Sequence, residues 1–199
     1  MATRPHKRAA LHEMRPHKAR IIAAISCIVD LGRELGVPVT QYDIVKTLFV
    51  ADKVHLNKYG RPVTYDNYVA MKDGPVPSLA YNFLKNDRFA LLGEPPLPWS
   101  RKQAPKELGK RAFAYEIEPD KVNCEALSPS DIAELKAALK AVKSLGFNQV
   151  RHLTHEHPAY VEAWENHGSS ASVKMSYSLL FDNPNEELAR DLAFFSKHA

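Results

Sequence analysis

The chain has 199 residues, of which 45% are hydrophobic and 25% charged, a composition typical of one globular domain. Its longest apolar run, 21–29, has about half the length that a membrane-spanning helix needs, and no clear signal-peptide cleavage pattern follows it, so we expect a cytoplasmic protein. Of the net charge of +4, residues 1–20 carry +5 and the remainder of the chain carries −1, which argues against nucleic-acid binding by the body of the protein.

Two helices are predicted near the start of the chain. Apolar residues at helical spacing over 20–34 indicate the first helix. Thr40 is predicted to cap a second helix that ends at Tyr59, with Asp43 at the position of an imperfect capping box. Gly60 is then placed to adopt the left-handed conformation that ends many helices.

A small β-element is predicted to follow. Residues 68–72 are expected to form a short strand, which 73–75 break, and Pro77 suits the first turn of a third helix. The proline-rich and charged segment 93–110 indicates a long exposed loop or a hairpin excursion. The strand-like segment 112–118 is the predicted antiparallel partner of 68–72.

The second half of the chain is predicted to be helical. The predicted helices are, in chain order, one that Ser128 or Ser130 caps and that ends near Gly146, then 148–156, 159–166 and 184–197. The predicted fold is therefore α+β and mainly α, a compact helical domain with a small antiparallel β-sheet or hairpin.

Asp52 and His55 are the first candidates for chemistry. They are three residues apart on the second predicted helix, so they share a face, and a carboxylate that orients an imidazole is the beginning of a general base. The same pair is an ordinary way to satisfy polar groups beside a core. No serine or cysteine in a recognisable nucleophile motif accompanies them, so we expect no enzyme and no catalytic residues.

Histidines and cysteines give little support for a metal or cofactor. His152, His155 and His157 do not have the spacing of a zinc-protease motif, and Pro158 ends the helical spacing. The two cysteines, at 27 and 124, do not form a Cys-x-x-Cys pair. We therefore expect structural or exposed histidines, inert thiols, no metal and no cofactor.

The segment Gly74–Pro77 predicts a rigid turn before a helix N-terminus. Such an end can attract an anion, but rigid turns of this kind usually have only an architectural role. Four tyrosines flank the turn, at positions 59, 65, 68 and 81. If they face outward together they form a protein-binding patch, and if they face inward they belong to the core; the sequence leaves both interpretations open.

Several motifs between residues 46 and 164 resemble those of a known family. The run from Lys46 to Thr64, with its ending Tyr-Gly-Arg-Pro-Val-Thr, is followed by Tyr-Val-Ala at 68–70 and Gly-Pro-Val-Pro at 74–77. Leu-Ser at 127–128, Leu-Thr-His at 153–155 and Ala-Trp at 163–164 continue the pattern. The sequence is similar to the Panacea domain of SocA-like antitoxins, a family that includes phage-associated proteins.

The resemblance implies a division of the chain into three parts. Residues 1–18 are expected to form a flexible basic tail, 19–167 the Panacea-like domain, and 168–199 a linker and a C-terminal helix packed on the same domain. Exposed Phe194 and Phe195 would instead indicate a partner. The tail is too short, and has no cysteines, for the DNA-binding or zinc-binding regions that other members carry.

The resemblance also implies an antitoxin that binds a cognate toxin protein directly. The expected contact face combines the end of the second helix with the two turns that follow it. Arg61 would supply a forked donor, and Arg61→Glu would abolish neutralisation with little change in thermal stability. The expected partner-binding residues are Lys46, Asp52, His55, Tyr59, Arg61, Tyr68, Gly74, Pro75, Pro77 and Tyr81.

The alternative is a nucleic-acid-binding regulator that uses the basic tail. Its affinity would fall steeply with salt and would disappear on removal of residues 1–18. The tail residues that would contact nucleic acid are Arg4, Lys7, Arg8, Arg15 and Lys18. A contribution from the basic residues of the loop near Arg101 would fit the same function. The sequence assigns no oligomeric state.

Overall fold

The computed structural model describes residues 8–108 and 112–198, and in these ranges it contains six α-helices and two antiparallel three-stranded sheets. The predicted mainly helical α+β fold is therefore confirmed. The helices are α1 (Lys18–Glu34), α2 (Gln41–Tyr59), α3 (Ser78–Leu84), α4 (Pro129–His155), α5 (Pro158–Glu165) and α6 (Glu186–His198). The strands are β1 (Val39–Thr40), β2 (Tyr68–Met71), β3 (Gly74–Pro77), β4 (Trp99–Gln103), β5 (Phe113–Ile117) and β6 (Ser172–Lys174).

Capping residues define the two central helices. Thr40 and Asp43 form a complete capping box at the start of α2, and Gly60 ends that helix with a φ of 75°. Ser128, and not Ser130, caps α4 in a second box with Asp131. These short-range signals were predicted correctly because each depends on residues within one turn.

Helix α4 is broken at Gly146, whose φ of 70° and ψ of 173° are not helical. The predicted division between a helix ending near this glycine and a short helix after it is therefore present as a kink inside one continuous element. The kink lies beside the beginning of α2, where the Tyr42 hydroxyl donates a hydrogen bond to the carbonyl of Phe147.

The predicted pairing between 68–72 and 112–118 is wrong. In one sheet β2 lies between β3 and β6, and in the other β5 lies between β1 and β4. The tight turn after Met71 brings β3 back onto β2, with Tyr68 opposite Pro77. Because proline has no N–H to donate, β3 is restricted to a sheet edge. The predicted hairpin excursion supplies β4, the partner of β5, and Pro77 ends β3 instead of entering α3.

Helix α2 lies between two hydrophobic clusters. Ile44 and Leu48 pack in one cluster with residues of α1, α3, β5 and the first half of α4. Phe49 and Leu56 pack in the other with residues of α5, α6 and the segment before α6. Burial on both sides fixes α2 as the central helix, so its two ends become the natural places for a site. No helix in the described part of the chain is long and apolar enough to cross a membrane.

The described part of the basic tail, from Arg8 onward, lies against the body. Met14 is buried, and its backbone N–H and carbonyl both hydrogen-bond to the side chain of Asn67. Arg8 contacts Glu162 and the carbonyl of Lys174. The tail follows the surface because its apolar side chain enters the second cluster.

Candidate functional site

Asp52 is a buried acceptor that fixes the turn after α2. Its carboxylate accepts hydrogen bonds from the backbone N–H groups of Val63 and Thr64, at 2.8 and 3.0 Å, and from the hydroxyls of Thr64 and Tyr68. Burial raises the pKa of Asp52, and the hydrogen bonds from Thr64 and Tyr68 oppose that rise. All of these partners belong to the fold itself, so Asp52 holds the turn and the first residue of β2 against α2.

Asp131, in the first turn of α4, is the centre of a second buried hydrogen-bond network, which lies beside the C-terminal end of α2. Its oxygens accept from Arg20 at 2.7 Å, from Arg61 at 2.9 Å and from the N–H of Ser128 at 2.7 Å. Burial alone would raise the pKa of Asp131, but these donors more than offset it and lower the pKa to about 2. The network ties α1, the turn after α2 and the start of α4 to one charge.

His55 belongs to the Asp131 network and not to Asp52. Its Nδ1 lies 2.8 Å from the carbonyl of Arg61, and its Nε2 lies 3.1 Å from both Ser130 Oγ and Asp131 Oδ1. Each member of the suspected acid–imidazole pair therefore has its own structural partners, and both side chains are fully buried.

Arg61 also has an internal role. Its guanidinium holds Asp131 with two nitrogens, and one of them also reaches Ser128 Oγ at 3.2 Å. Removing it would leave a buried carboxylate with fewer donors. The expectation that Arg61→Glu leaves stability nearly unchanged therefore does not hold for this geometry.

Lys46 lies near the N-terminal end of α2. Its side chain is 1% exposed, and its Nζ donates to the carbonyl of Pro75 at 3.0 Å and lies 5.3 Å from the centre of the Tyr42 ring. Burial lowers the pKa of Lys46 to about 7, while the nearby carboxylate of Asp73 acts in the opposite direction. A buried amine with one acceptor is an unusual feature, and it lies beside a cleft.

Gly74 explains why the amine reaches this position. Its φ of 101° is unfavourable for other residues, and a Cβ there would lie 2.6 Å from Lys46 Nζ and 2.9 Å from Thr154 Oγ1. Gly74→Ala is therefore expected to displace Lys46 and to lower the free energy of unfolding by about 2–4 kcal/mol, strain and clash together. Urea unfolding monitored by circular dichroism measures this change.

Gly60 provides the matched control for that substitution. It also has a positive φ, 75°, but no atom lies within 4 Å of the Cβ that alanine would add. Gly60→Ala should therefore cost about 1 kcal/mol, from backbone strain alone. Equal costs at the two positions would show that the contact with Lys46 does not constrain Gly74.

The cleft beside Lys46 has a volume of about 970 Å³. The beginning of α2, the β2–β3 turn, α3, the β4–β5 hairpin and the kinked part of α4 line it. We call it the Lys46 cleft. Its aromatic residues are Tyr42, Tyr81, Phe113 and Phe147, and its charged residues are Lys46, Lys72, Lys85, Arg101, Lys143, Asp43 and Asp73. Most of these residues were missed by sequence reasoning, because they come from separate segments and form no motif.

The predicted partner-binding residues divide between the two ends of α2. Gly74, Pro75 and Tyr81 lie near Lys46. The others follow along α2 toward its C-terminal end: at a rise of 1.5 Å per residue, Asp52 is about 9 Å and Tyr59 about 20 Å from Lys46, and Arg61 lies just beyond the helix. Tyr68 and Pro77 are buried. The four tyrosines thus form no common patch: Tyr59 is 53% exposed, whereas Tyr68 is 2% exposed.

The basic tail residues are occupied by the body where the structure describes them. Arg8 contacts Glu162, Arg15 contacts the carbonyl of Lys197, and Lys18 contacts Glu94 at 2.6 Å. The remaining two residues, Arg4 and Lys7, lie outside the described residues. Of the three described residues, Arg8 and Lys18 are therefore paired with carboxylates of the body, and Arg15 is bound to a carbonyl.

The three histidines of the second half have separate neighbours. His152 faces Glu156, His155 packs on the ring of Tyr160 at 4.3 Å, and His157 accepts the N–H of Ala159 at the start of α5. Within 8–108 and 112–198, no group of three or more histidine, cysteine or acidic side chains is positioned to hold a metal.

The two thiols are neighbours, which their separation in the sequence did not indicate. Cys27 and Cys124 are free and hydrogen-bond to each other. Burial raises the pKa of Cys27 to about 12, so its reactive thiolate form is disfavoured.

Comparison with known proteins adds the family. No curated protein and no solved structure matches the chain. A profile of the family described as antitoxin SocA-like, Panacea domain, matches residues 44–160, which include α2 from Ile44 onward, the β2–β3 and β4–β5 hairpins and α4. The chain therefore belongs to the SocA-like antitoxin family and contains a Panacea domain.

Proposed function

We propose that this protein is the antitoxin of a toxin–antitoxin pair and neutralises its toxin by direct protein–protein binding in the cytoplasm. Membership of the SocA-like antitoxin family supports this function. A binding role is also favoured over catalysis because Asp52 and His55, the residues that resembled a general base, are both occupied by internal partners.

The observation that carries the proposal is the position of Tyr59. It is a half-exposed aromatic residue at the end of α2, within the segment that the family profile matches. Its ring packs on that of His55, with centres 4.4 Å apart, and His55 is held in turn by Arg61 and Asp131. A tyrosine on so rigid a support loses little freedom on binding, and tyrosine is common among residues that dominate interface energy.

Polar residues surround Tyr59 and complete what we call the Tyr59 face. Lys58, the residue before Tyr59, pairs with Glu134 of α4 at 2.8 Å, and this ion pair and Tyr59 define the face. An aromatic centre with a charged rim is the usual anatomy of a specific protein interface. Arg61 supports this face from within, so it affects toxin binding through the position of His55 and the turn.

Tyr59→Ala is expected to weaken toxin binding by at least about 2 kcal/mol, roughly 30-fold in Kd, because it removes the aromatic centre of the face. The experiment expresses the adjacent gene with and without this protein, scores growth, and then measures the affinity of the purified pair. Thermal unfolding of the variant must show that it remains folded.

Phe147→Ala is the matched control, since Phe147 is 50% exposed but lines the Lys46 cleft at the opposite end of α2. It should leave toxin affinity unchanged. Loss of affinity in Phe147→Ala with full affinity in Tyr59→Ala would assign the toxin to the cleft. The proposal would be contradicted if the adjacent gene product were not toxic and formed no complex with this protein.

A further inference from the structure

The Lys46 cleft has the size and the walls of a small-molecule site. Its volume of about 970 Å³ lies at the upper end of the range, on the order of 300–1,000 Å³, that ligand sites occupy. Apolar and aromatic side chains form about half of its wall, and charged side chains line much of the rest. Such a wall suits a small ligand that combines an apolar part with a charged group.

The cleft has an excess of positive charge. Of its two carboxylates, Asp43 is paired with Lys143 at 3.1 Å, and Asp73 is paired with Arg151 at 3.3 Å. Within the described residues, the other four cations of the cleft form no ion pair with a carboxylate; they are Lys46, Lys72, Lys85 and Arg101. Since the body as a whole is nearly neutral, this concentration of cations favours an anionic occupant.

Three of these cations lie against aromatic rings. The distance from the cation to the ring centre is 5.3 Å for Lys46 and Tyr42, 4.4 Å for Lys85 and Tyr81, and 3.5 Å for Arg101 and Phe113. In each pair the cation lies over the ring, so the wall combines flat aromatic groups with positive charge. A planar ligand can extend the stack that the flat guanidinium of Arg101 makes on Phe113, while its acidic group meets the lysines.

Two donors support this chemistry from within the cleft wall. Lys46 Nζ has the carbonyl of Pro75 as its single acceptor among the described residues. The buried Nε of Arg101 has no hydrogen-bond partner there. Unsatisfied buried donors are costly, and an anionic oxygen of a ligand would supply the acceptor that they lack.

We propose that the Lys46 cleft is a binding site for a small aromatic anion, a planar ring that carries a phosphate or a carboxylate. The buried position of Lys46, in the wall of a cleft, suits a slender acidic group better than the broad surface of a protein. The proposal is independent of the toxin-binding function, which is assigned to the Tyr59 face at the other end of α2.

Titration calorimetry on the full chain tests this site with phenyl phosphate, benzoate and AMP. The first two separate phosphate from carboxylate, and AMP adds a larger ring. Adenosine and inorganic phosphate are the controls, because each retains only one half of the required chemistry. At least one aromatic anion is expected to bind at least about tenfold more tightly than either control.

Lys46→Met should weaken that binding at least about tenfold, since methionine fills the volume of the stem without a donor. Arg101→Met is the second variant, at an only partly buried position, and should have a similar effect. Tyr59→Ala, at the far end of α2, should leave ligand affinity unchanged. The proposal would be overturned if none of the three aromatic anions showed saturable binding. It would also be overturned if Lys46→Met and Arg101→Met bound the ligand with the same affinity as the unaltered chain.

Proton uptake gives a second readout. Lys46 faces Tyr42 on its own helix, Asp73 on the β2–β3 turn, and Arg151 and His155 on α4. Because the pKa of Lys46 is about 7, an anion that binds beside it at pH 8 should draw a proton onto the amine. Calorimetry in two buffers with different ionisation enthalpies should detect this uptake, and Lys46→Met should abolish it; unchanged uptake in the variant would exclude Lys46 as the acceptor.

Discussion

Asp131→Ala is expected to lower the free energy of unfolding by about 3–5 kcal/mol, which is a large part of the stability of a domain of this size. The carboxylate is fully buried and accepts from Arg20, Arg61 and Ser128. Its removal leaves two guanidinium groups close together with no counter-charge and also removes half of the capping box of α4. Equilibrium unfolding in urea at pH 7 gives the value directly.

An exposed ion pair provides the control for Asp131. Glu116 faces Lys102 across the β4–β5 hairpin with both side chains 60% exposed, so Glu116→Ala should have no measurable effect. The pH dependence gives an independent check. The pKa of Asp131 is lowered from 3.8 to about 2, so its contribution is present above about pH 4 and is lost as the pH falls toward 2. A stability difference between the unaltered chain and Asp131→Ala that does not narrow over this range would contradict the network.

Asp52→Ala is the second substitution with a large expected effect, about 3–5 kcal/mol of unfolding free energy. The substitution leaves the N–H groups of Val63 and Thr64 and the hydroxyl of Tyr68 buried without their acceptor. The turn that positions Arg61 would loosen, so toxin affinity should fall together with stability. Urea unfolding and toxin titration of the same preparation measure the two effects.

Tyr68→Phe separates the carboxylate from one of its donors. It removes one hydrogen bond to Asp52 and keeps the ring in the second hydrophobic cluster, so a cost of about 1 kcal/mol is expected. If Asp52→Ala costs no more than Tyr68→Phe, then Asp52 does not organise the turn.

The two networks give the Tyr-Gly-Arg-Pro motif a physical meaning. Gly60 ends α2 in the left-handed conformation. The guanidinium of Arg61 then binds the carboxylate of Asp131, and the backbone carbonyl of Arg61 hydrogen-bonds to His55. The motif thus forms the support beneath Tyr59. Arginine is better suited than lysine to this position because its fork binds the carboxylate with two nitrogens.

Local signals in the sequence predicted most of the helical fold. The capping box of Thr40 and Asp43 and the left-handed Gly60 involve neighbours in the chain, and their chemistry is visible without tertiary structure. The strand pairing was missed because β4 lies in a charged, proline-rich segment and β3 contains two prolines, features that normally indicate loops.

The site was predictable only in part. Lys46, Tyr59 and Arg61 were predicted to contribute to one partner-binding site, with Lys46 beneath its face, although α2 separates the first from the other two by several turns. Phe147 gave no signal, and Arg101 was considered only for nucleic-acid binding, because α4 and the β4–β5 hairpin bring them to the cleft from distant parts of the chain. Tyr59 is exposed and Tyr68 is buried, and this difference depends on tertiary packing that residue spacing does not reveal.

Amide hydrogen exchange of the protein, alone and bound to its toxin, tests the central claim most directly. We predict a stable complex in which added protection is concentrated at the C-terminal end of α2 and at the adjoining first turns of α4, around Tyr59 and Glu134. The amides around Tyr42 and Phe147, which border the Lys46 cleft, should exchange as in the free protein. Protection centred on the cleft, or no protection at the Tyr59 face within a demonstrated complex, would contradict the account.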